Sequence, residues 1–366
     1  MFKKTLIAVS VACASTCALA DSQVNLYGTL DGAIAIQKAK GADTVTAFED
    51  GIAGGSVWGL TGEEDLGNGY GINFTLENGF TVDNGANGED GLQFGKQATL
   101  GVTGPFGEFA FGRMGGLSTY EGGYSIWDAS PFGTDYLQAG LGSYGVFSGQ
   151  ILNNAMIYVT PEFDGLKGYL QYSNGVVDDA NKWSKNDHYY GLGVTYESGN
   201  LNSSLIYEVY DVRESDQEST QAISFSVAYD FESVKPFFGY QYGNKLSSIV
   251  SSDEEIAVEL TGKGANQHLF TLGAEVPLGG GTAKLAANYA FGKIKGDLGE
   301  ASNDLEGKGD KFSKYGLGVA YEYPLSKRTF VYSWGAWQKG GKLLKTESIR
   351  SGYENWSLGL GLHHNF

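Results

Sequence analysis

The sequence predicts an all-β protein: a 16-stranded antiparallel transmembrane β-barrel with short turns at one end and eight long outer loops at the other. Two observations lead to this prediction. Apolar residues alternate with small or polar residues along many segments, and short turns recur between those segments. No stretch after residue 20 approaches the roughly 20 apolar residues that a membrane helix needs. A soluble β-sandwich also has alternating strands, but it would have to explain the polar residues on its outer face and the aromatic residues that end many strands.

The first element is an N-terminal export signal. Two lysines precede a short apolar stretch, and Ala18–Ala20 supplies a small-residue cleavage site, which is the pattern of a secretory signal peptide. A lipoprotein signal is the alternative, because Cys13 and Cys17 lie in this segment, but neither has leucine three positions before it. We therefore interpret residues 1–20 as a cleaved signal peptide and residues 21–366 as one transmembrane β-barrel domain.

Composition excludes several classes of function. Without residues 1–20 the chain has no cysteine, and 23 of its 25 lysines and arginines remain against 42 acidic residues, a formal net charge of −19. Nucleic-acid binding needs a basic surface, so no nucleic-acid partner is expected. The sequence has no nucleophile or phosphate-loop motif, and its four histidines have no partner at metal-ligand spacing, so we expect neither an enzyme nor a cofactor or metal site. The acidic runs "SSDEEIAVE" and "NGVVDDAN" are either solvated loops or weak calcium sites.

Alternation defines the strands of the barrel wall. In "QVNLYGTLDGAIAI", "HLFTLGAEVPL" and "KYGLGVAYEY", every second residue is apolar or glycine, and the residues between them are mostly small or polar. Strands of ~9–11 residues with one apolar face are what a barrel wall in lipid requires. By the same alternation, Asp31 and Glu77 face the interior of the barrel.

Seven short connections give the strand count. They are "EDLGNG", "GPFGE", "PEFDGL", "ESGNL", "DFESVKP", "PLGGGT" and "YPLSKRT", with longer Gly-, Asp-, Ser- and Lys-rich segments between them. Seven short turns on one side, with both termini on that side, require eight hairpins and therefore sixteen strands. An even strand number with short turns and long loops is typical of outer-membrane barrels. Closure of the barrel leaves no unpaired strand edge in lipid.

The last ten residues, "SLGLGLHHNF", form a strand of period two that ends on Phe366. We expect this strand to close the barrel against the first one, with its apolar face toward lipid and Phe366 in the aromatic girdle at the membrane rim. In outer-membrane barrels as a class the assembly machinery reads this end of the chain. Phe366 is therefore the expected assembly signal.

Several stretches resemble the trimeric general porins of Gram-negative bacteria, most of all the neisserial and burkholderial branch. They include "NLYGTLDGAIAI", "SVWGLTGEEDLGNGYGINFTLENGF", "GKQATLGVTGPFGEFAFGR", "NNAMIYVTPEFDGLKGYLQYSNG", "LSKRTFVYSWG" and "LGLGLHHNF". The resemblance runs in order from Asp21 to Phe366. It implies a homotrimer in the cell outer membrane, in contact with outer-membrane lipids and lipopolysaccharide and inserted by the barrel assembly machinery. It also implies a third loop folded into each pore and passive diffusion of small hydrophilic solutes and ions.

The segment at about residues 114–152 corresponds to that constriction loop. Its acidic residues are Glu121, Asp128 and Asp135, and the resemblance implies that they face basic residues across the pore, where charged groups set ion preference. Lys96 and Arg113 are the basic wall residues expected from the matching positions. The alternative for the three carboxylates is that one or two of them cap a short helix within the loop.

The sequence departs from its relatives in the basic wall. Relatives typically carry arginine where this chain has Val57 and either Ile151 or Ile157, so we expect a pore with few positive wall groups and a preference for cations. The alternative is that lysines from the outer loops compensate.

Two other functions compete with a general diffusion porin. A substrate-specific channel for sugars or organic ions is favoured by the aromatic residues of the third loop, namely Tyr120, Tyr124, Trp127, Phe132, Tyr136, Tyr144 and Phe147. An outer-membrane enzyme or adhesin would need a Ser/His constellation or very long outer loops, and the sequence has neither.

Overall fold

A computed structural model describes residues 23–88, 91–119, 121–133, 136, 139–147, 150–176, 182–213, 216–250, 258–299 and 310–366. The predicted signal peptide at residues 1–20 and the predicted site residue Asp135 lie outside these ranges, as do Tyr120 and parts of both acidic runs. Within the described ranges, no helix is long and apolar enough to cross a membrane.

Sixteen antiparallel strands form a closed barrel, as the alternation and the turn count predict. The first eight are β1 Gln23–Ala39, β2 with two segments Val45–Asp50 and Val57–Gly67, β3 Tyr70–Gly79, β4 Gln97–Gly104, β5 Gly107–Gly115, β6 Ile151–Val159, β7 Leu166–Asn174 and β8 His188–Ser198. The second eight are β9 Leu201–Asp211, β10 Thr220–Tyr229, β11 Lys235–Leu246, β12 Ala265–Leu278, β13 Gly281–Ile294, β14 Lys311–Pro324, β15 Thr329–Lys342 and β16 Glu354–Asn365. Each strand pairs with the next, and β16 pairs with β1 from Thr29 opposite Asn365 to Ala39 opposite Asn355.

The outer face of the barrel is apolar. Along β16 the alternate residues Leu358, Leu360 and Leu362 are exposed, Leu360 by 68%, whereas Ser357 and His363 face inward and are buried. Leucines left in contact with water on this scale would be costly, and a bilayer removes that cost by covering them. The period-two alternation therefore assigns the two faces of the wall correctly.

The seven predicted short turns connect consecutive strands at one end of the barrel. At the other end, the three short strands Ser248–Ile249, Val258–Thr261 and Asp297–Leu298 form a separate small sheet. Short 3₁₀ turns lie at Trp183–Lys185, Leu343–Lys345 and Arg350–Tyr353. We call the small sheet together with the last two turns the outer cap.

The outer cap has a hydrophobic cluster of its own. Tyr353 is buried there, and its hydroxyl donates to the carbonyl oxygen of Ile249 at 2.5 Å and accepts from the amide of Val258 at 3.3 Å. These contacts join the last outer loop to the small sheet, so the outer loops that form the cap pack on one another.

Phe366 lies in the seam that closes the barrel. Its amide donates to the carbonyl oxygen of Gly28 at 3.0 Å, and the amide of Gly28 donates back to the oxygen of Phe366 at 3.3 Å. The ring of Phe366 lies directly over Gly28, so a Cβ atom at that position would collide with it. Glycine in β1 therefore allows the terminal ring to pack against the first strand.

Strand β2 is interrupted by the glycine-rich residues 51–56. On β1, Thr29 still pairs with Val57 of the second segment, and Gly32 pairs with Asp50 of the first segment. Between these two registers the chain leaves the sheet, and Ile52 is buried. This inward segment provides a surface for the third loop.

Candidate pore and third loop

The third loop joins β5 and β6, and its described residues, 116–119, 121–133, 136, 139–147 and 150, lie inside the barrel. It contacts the inner face of the wall from β8 to β15, and glycines on these strands make room for it. At four of them an added Cβ atom would collide with a loop residue: Gly193 with Ile126, Gly239 with Ala129, Gly273 with Pro131 and Gly318 with Ala139. The small inner-face residues of the wall strands therefore let the loop approach the sheet closely.

The start of the loop is fixed by a buried carboxylate on β9. Glu208 has no exposed surface, and its Oε1 accepts from the hydroxyl of Tyr189 at 2.6 Å and from the amide of Ser118 at 3.1 Å. The same tyrosine hydroxyl accepts from the amide of Leu117 at 3.1 Å. Hydrogen bonds to a fully buried carboxyl group are strong because little water competes for them.

The middle and end of the loop are held by side chains on other strands. The amide of Tyr136 donates to the carbonyl oxygen of Ile52 at 2.7 Å, and its hydroxyl donates to Glu322 at 2.7 Å. Further along, Gln267 donates to the carbonyl oxygen of Tyr144 at 2.7 Å, and Gln241 accepts from the amide of Val146 at 2.8 Å. The loop is therefore attached to several strands on the inner wall.

Most described aromatic residues of the loop pack against the wall. Trp127, Phe132, Tyr136, Tyr144 and Phe147 are all buried, with at most 4% of their surface exposed. The partly buried Tyr124 uses its hydroxyl to donate to Glu108 at 2.7 Å. These rings hold the loop in place and do not present a ring surface for a sugar or an organic ion.

Glu121 and Lys96 meet across the gap between loop and wall. The Lys96 ammonium lies 2.9 Å from the Glu121 carboxylate, with side-chain exposures of 14% and 37%. The contact joins an acidic residue of the loop to a basic residue next to β4.

Asp128 has a different environment. Burial raises the pKa of its carboxyl group, and the nearby positive charge of Lys235 lowers it by less. Asp128 also interacts electrostatically with Glu275 on β12. It therefore faces the turn end of the wall rather than Lys96.

Arg113 connects two neighbouring parts of the barrel wall. Its Nε atom donates to the carbonyl oxygen of Gly95 at 2.6 Å, and its guanidinium also donates to Asn153 on β6. The contacts join the segment before β4 to β6, so the charge of Arg113 is engaged within the wall.

Asp31 faces inward as predicted but does not line the pore. It is fully buried, and its two oxygens contact the hydroxyl of Tyr332 at 2.7 Å and Nδ1 of His363 at 3.0 Å. The amide of Ala53, in the inward segment of β2, donates to it at 3.3 Å. The expectation of a pore-lining carboxylate is wrong here, because that segment and the strands of the closing seam cover Asp31.

Glu77 occupies the inner face of β3, as predicted. Its carboxylate accepts from the hydroxyl of Tyr27 at 2.8 Å. Glu108 on β5 is a further inner-face carboxylate, not among the residues expected from the sequence, and it accepts from Asn73 at 3.1 Å as well as from Tyr124.

Four more charges lie on the inner face at the turn end of β11 to β14. Lys235, Glu275 and Lys284 are opposite one another on adjacent strands, and the Lys284 ammonium lies 2.8 Å from Glu322. We call these four residues the charge ladder. The two lysines of the ladder are basic wall residues in addition to Lys96 and Arg113, which were expected from the positions that match the family. The alternation in "TAKLAANYA" and "VKPFFGY" places Lys284 and Lys235 on the inner face, so the sequence alone could have predicted both.

The positions at which relatives typically carry arginine differ in whether their side chains can line the pore. Val57 begins the second segment of β2 on the inner face. Ile157 is fully buried in a cluster with Leu117 and Trp127 and therefore cannot line the pore.

In the described ranges, no group of three or more His, Cys, Asp and Glu side chains is placed to hold a metal ion.

The chain is similar to known proteins in both sequence and fold. A family model described as Gram-negative porin matches residues 6–341. An outer membrane porin protein of Bordetella pertussis is 28% identical over 406 aligned residues, and the major outer membrane protein P.IB of Neisseria meningitidis serogroup A is 25% identical over 369, each covering all of both chains. The solved anion-selective porin from Comamonas acidovorans has a TM-score of 0.63 at 24% identity and covers 94% of this chain and 100% of its own.

Proposed function

Because the chain belongs to the Gram-negative porin family, we propose that it is a general diffusion channel, through which small hydrophilic solutes and ions cross the outer membrane passively. One observation supports a channel without a specific solute: the described aromatic residues of the third loop are packed into the wall or hydrogen-bonded to it. Carboxylates and ammonium groups remain on the inner face.

The test is solute flux into liposomes that contain the purified protein. For neutral sugars and sugar alcohols, we expect the rate to fall steadily with solute size and to rise in proportion to concentration. Saturation of the flux by one solute, together with block of the ion current by that solute, would instead establish a substrate-specific channel.

We propose further that the channel prefers cations, and the proposal stands on the charges of this chain. Apart from the fully buried Asp31 and Glu208, the inner-face and loop positions described above carry the six carboxylates Glu77, Glu108, Glu121, Asp128, Glu275 and Glu322. Against them stand the three ammonium groups of Lys96, Lys235 and Lys284 and the Arg113 guanidinium, which is engaged within the wall. The anion selectivity of the Comamonas porin is a property of that protein. The sign of the reversal potential in a salt gradient decides the preference here.

For assembly we propose the homotrimer that the resemblance implies, with lipopolysaccharide and outer-membrane lipids around it and the barrel assembly machinery as the insertion partner. Residues 1–20 are proposed to be removed on export. A heat-sensitive trimer band from outer membranes, containing chains that begin at Asp21, would support both proposals, and a monomer band with an intact start would contradict them.

A further inference from the structure

Lys314 is a buried lysine on the inner face of β14. Only 3% of its surface is exposed, and its ammonium donates to the carbonyl oxygen of Ser143 in the third loop at 2.5 Å and to that of Val250 beside the outer cap at 3.0 Å. In the part of the chain that the structure describes, no carboxylate pairs with it. Its contacts with described residues therefore join the third loop to the outer loops through neutral acceptors.

Within the described ranges, the ammonium group has carbonyl acceptors and no opposite charge. An ammonium group has three N–H donors, and the contacts above use two. The ring of Tyr144 lies 5.1 Å from the nitrogen, which adds a weak cation–π attraction. Buried charges in proteins are paired with an opposite charge or give up their proton, because an isolated ion in a medium of low dielectric constant is strongly unfavourable.

A cavity adjoins this ammonium group. Its volume is about 160 Å³, and Lys314, Tyr144, Gln150, Thr220, Ser247 and Gln267 are among the residues that line it. Tyr144 is fully buried, and its hydroxyl has no hydrogen-bond partner among the described residues. A water molecule takes roughly 30 Å³ of liquid volume, so the cavity has room for a small anion with a few waters.

We propose that this cavity binds a small monovalent anion, either a halide or a short carboxylate, between the Lys314 ammonium and the Tyr144 hydroxyl. The anion supplies the missing opposite charge and accepts from both donors. The site lies behind the third loop and is separate from the pair of Lys96 and Glu121. The inference is independent of the ion preference of the pore.

The test is diffraction from crystals of the mature protein grown with anions that can be identified. Crystals in sodium bromide should show an anomalous peak within hydrogen-bond distance of Lys314 Nζ, and crystals in sodium formate should show planar density at the same place. A peak with bromide alone identifies a halide site, and density with formate alone identifies a carboxylate site. If neither anion is present beside Lys314, the proposal is overturned.

Three variants give the controls. Lys314→Met should abolish the bromide peak, and Tyr144→Phe, which retains the ammonium group, should lower its occupancy at least severalfold. Lys311→Met, on the same strand but exposed, should leave the peak unchanged. If Lys314→Met does not fold, Tyr144→Phe decides alone, and undiminished bromide occupancy in that variant rejects the two-residue site.

Discussion

Neutralising Glu121 should shift the pore toward anions. Glu121 pairs with Lys96 at 2.9 Å, so the wild-type pair presents little net charge to a passing ion. In Glu121→Gln the shape of the side chain is retained, but the Lys96 ammonium is left without its partner carboxylate. The reciprocal change, Lys96→Met, exposes the carboxylate and should shift the pore toward cations.

The size of the effect follows from the distance of the ion. A unit charge ~8 Å from a passing ion changes the electrostatic free energy of that ion by about 2 kcal/mol at an effective dielectric constant near 20. Screening at ~0.1 M salt, with a Debye length of about 10 Å, reduces this to roughly 0.9 kcal/mol. Because potassium and chloride respond in opposite senses, the difference between their free energies changes by roughly 1.8 kcal/mol. Each single substitution should therefore change the ratio of potassium to chloride permeability by about twentyfold, and the two substitutions should change it in opposite directions.

The assay is the zero-current potential of a planar bilayer in a KCl gradient. The double variant Lys96→Met with Glu121→Gln should return close to the wild-type ratio, because both charges are then absent. Glu347→Gln, an exposed carboxylate of the last outer loop, is the matched control and should change the ratio little. Single substitutions that shift the potential in the same direction, or a shift with Glu347→Gln as large as with Glu121→Gln, would refute the reasoning.

Three further predictions rest on other parts of the barrel. Deleting Phe366 removes the ring over Gly28 and the last backbone contacts of the seam, so the amount of heat-modifiable trimer in outer membranes should drop sharply; wild-type amounts would contradict this. Val57→Arg places a base on the inner face and should move the zero-current potential toward anions by more than a lysine added on an outer loop. Since burial holds the pKa of Asp128 above its usual range, lowering the pH should remove its charge before that of exposed aspartates. The potassium preference of the wild type should therefore weaken over that pH range. If the permeability ratio of Asp128→Asn depends on pH in the same way as that of the wild type, Asp128 is not the group responsible.

The fold could be predicted from the sequence because the membrane imposes a simple pattern. Each strand must present an apolar face to lipid, so alternation along a strand such as β16 gives its faces, and the short turns give the count. The interruption of β2 at residues 51–56 was not predictable in this way. A short run of glycines and small residues is compatible with a continuous strand, and the inward path depends on contacts with Asp31 and Tyr136 that no local pattern contains.

The site was predictable only in part, because alternation gives the direction of a side chain and not what covers it. Asp31 faces inward, yet distant strands bury it. The resemblance to known porins implied that the loop carboxylates face basic wall residues, but it did not pair Glu121 with Lys96 in particular. The charge ladder could have been found by extending the alternation to the strand ends, as its lysine Lys284 shows. The role of Lys314 depends on how the third loop and the outer cap meet above it, which only the folded barrel shows.

The cation preference is tested most directly by the zero-current potential of the unaltered pore across a tenfold KCl gradient. We expect a potential of the sign set by potassium, with a severalfold preference at low salt. The preference should weaken as the mean salt concentration rises, because screening shortens the reach of the inner-face carboxylates. A potential of the sign set by chloride would contradict it. In that case the ammonium groups of Lys96, Lys235 and Lys284 would outweigh the carboxylates around them.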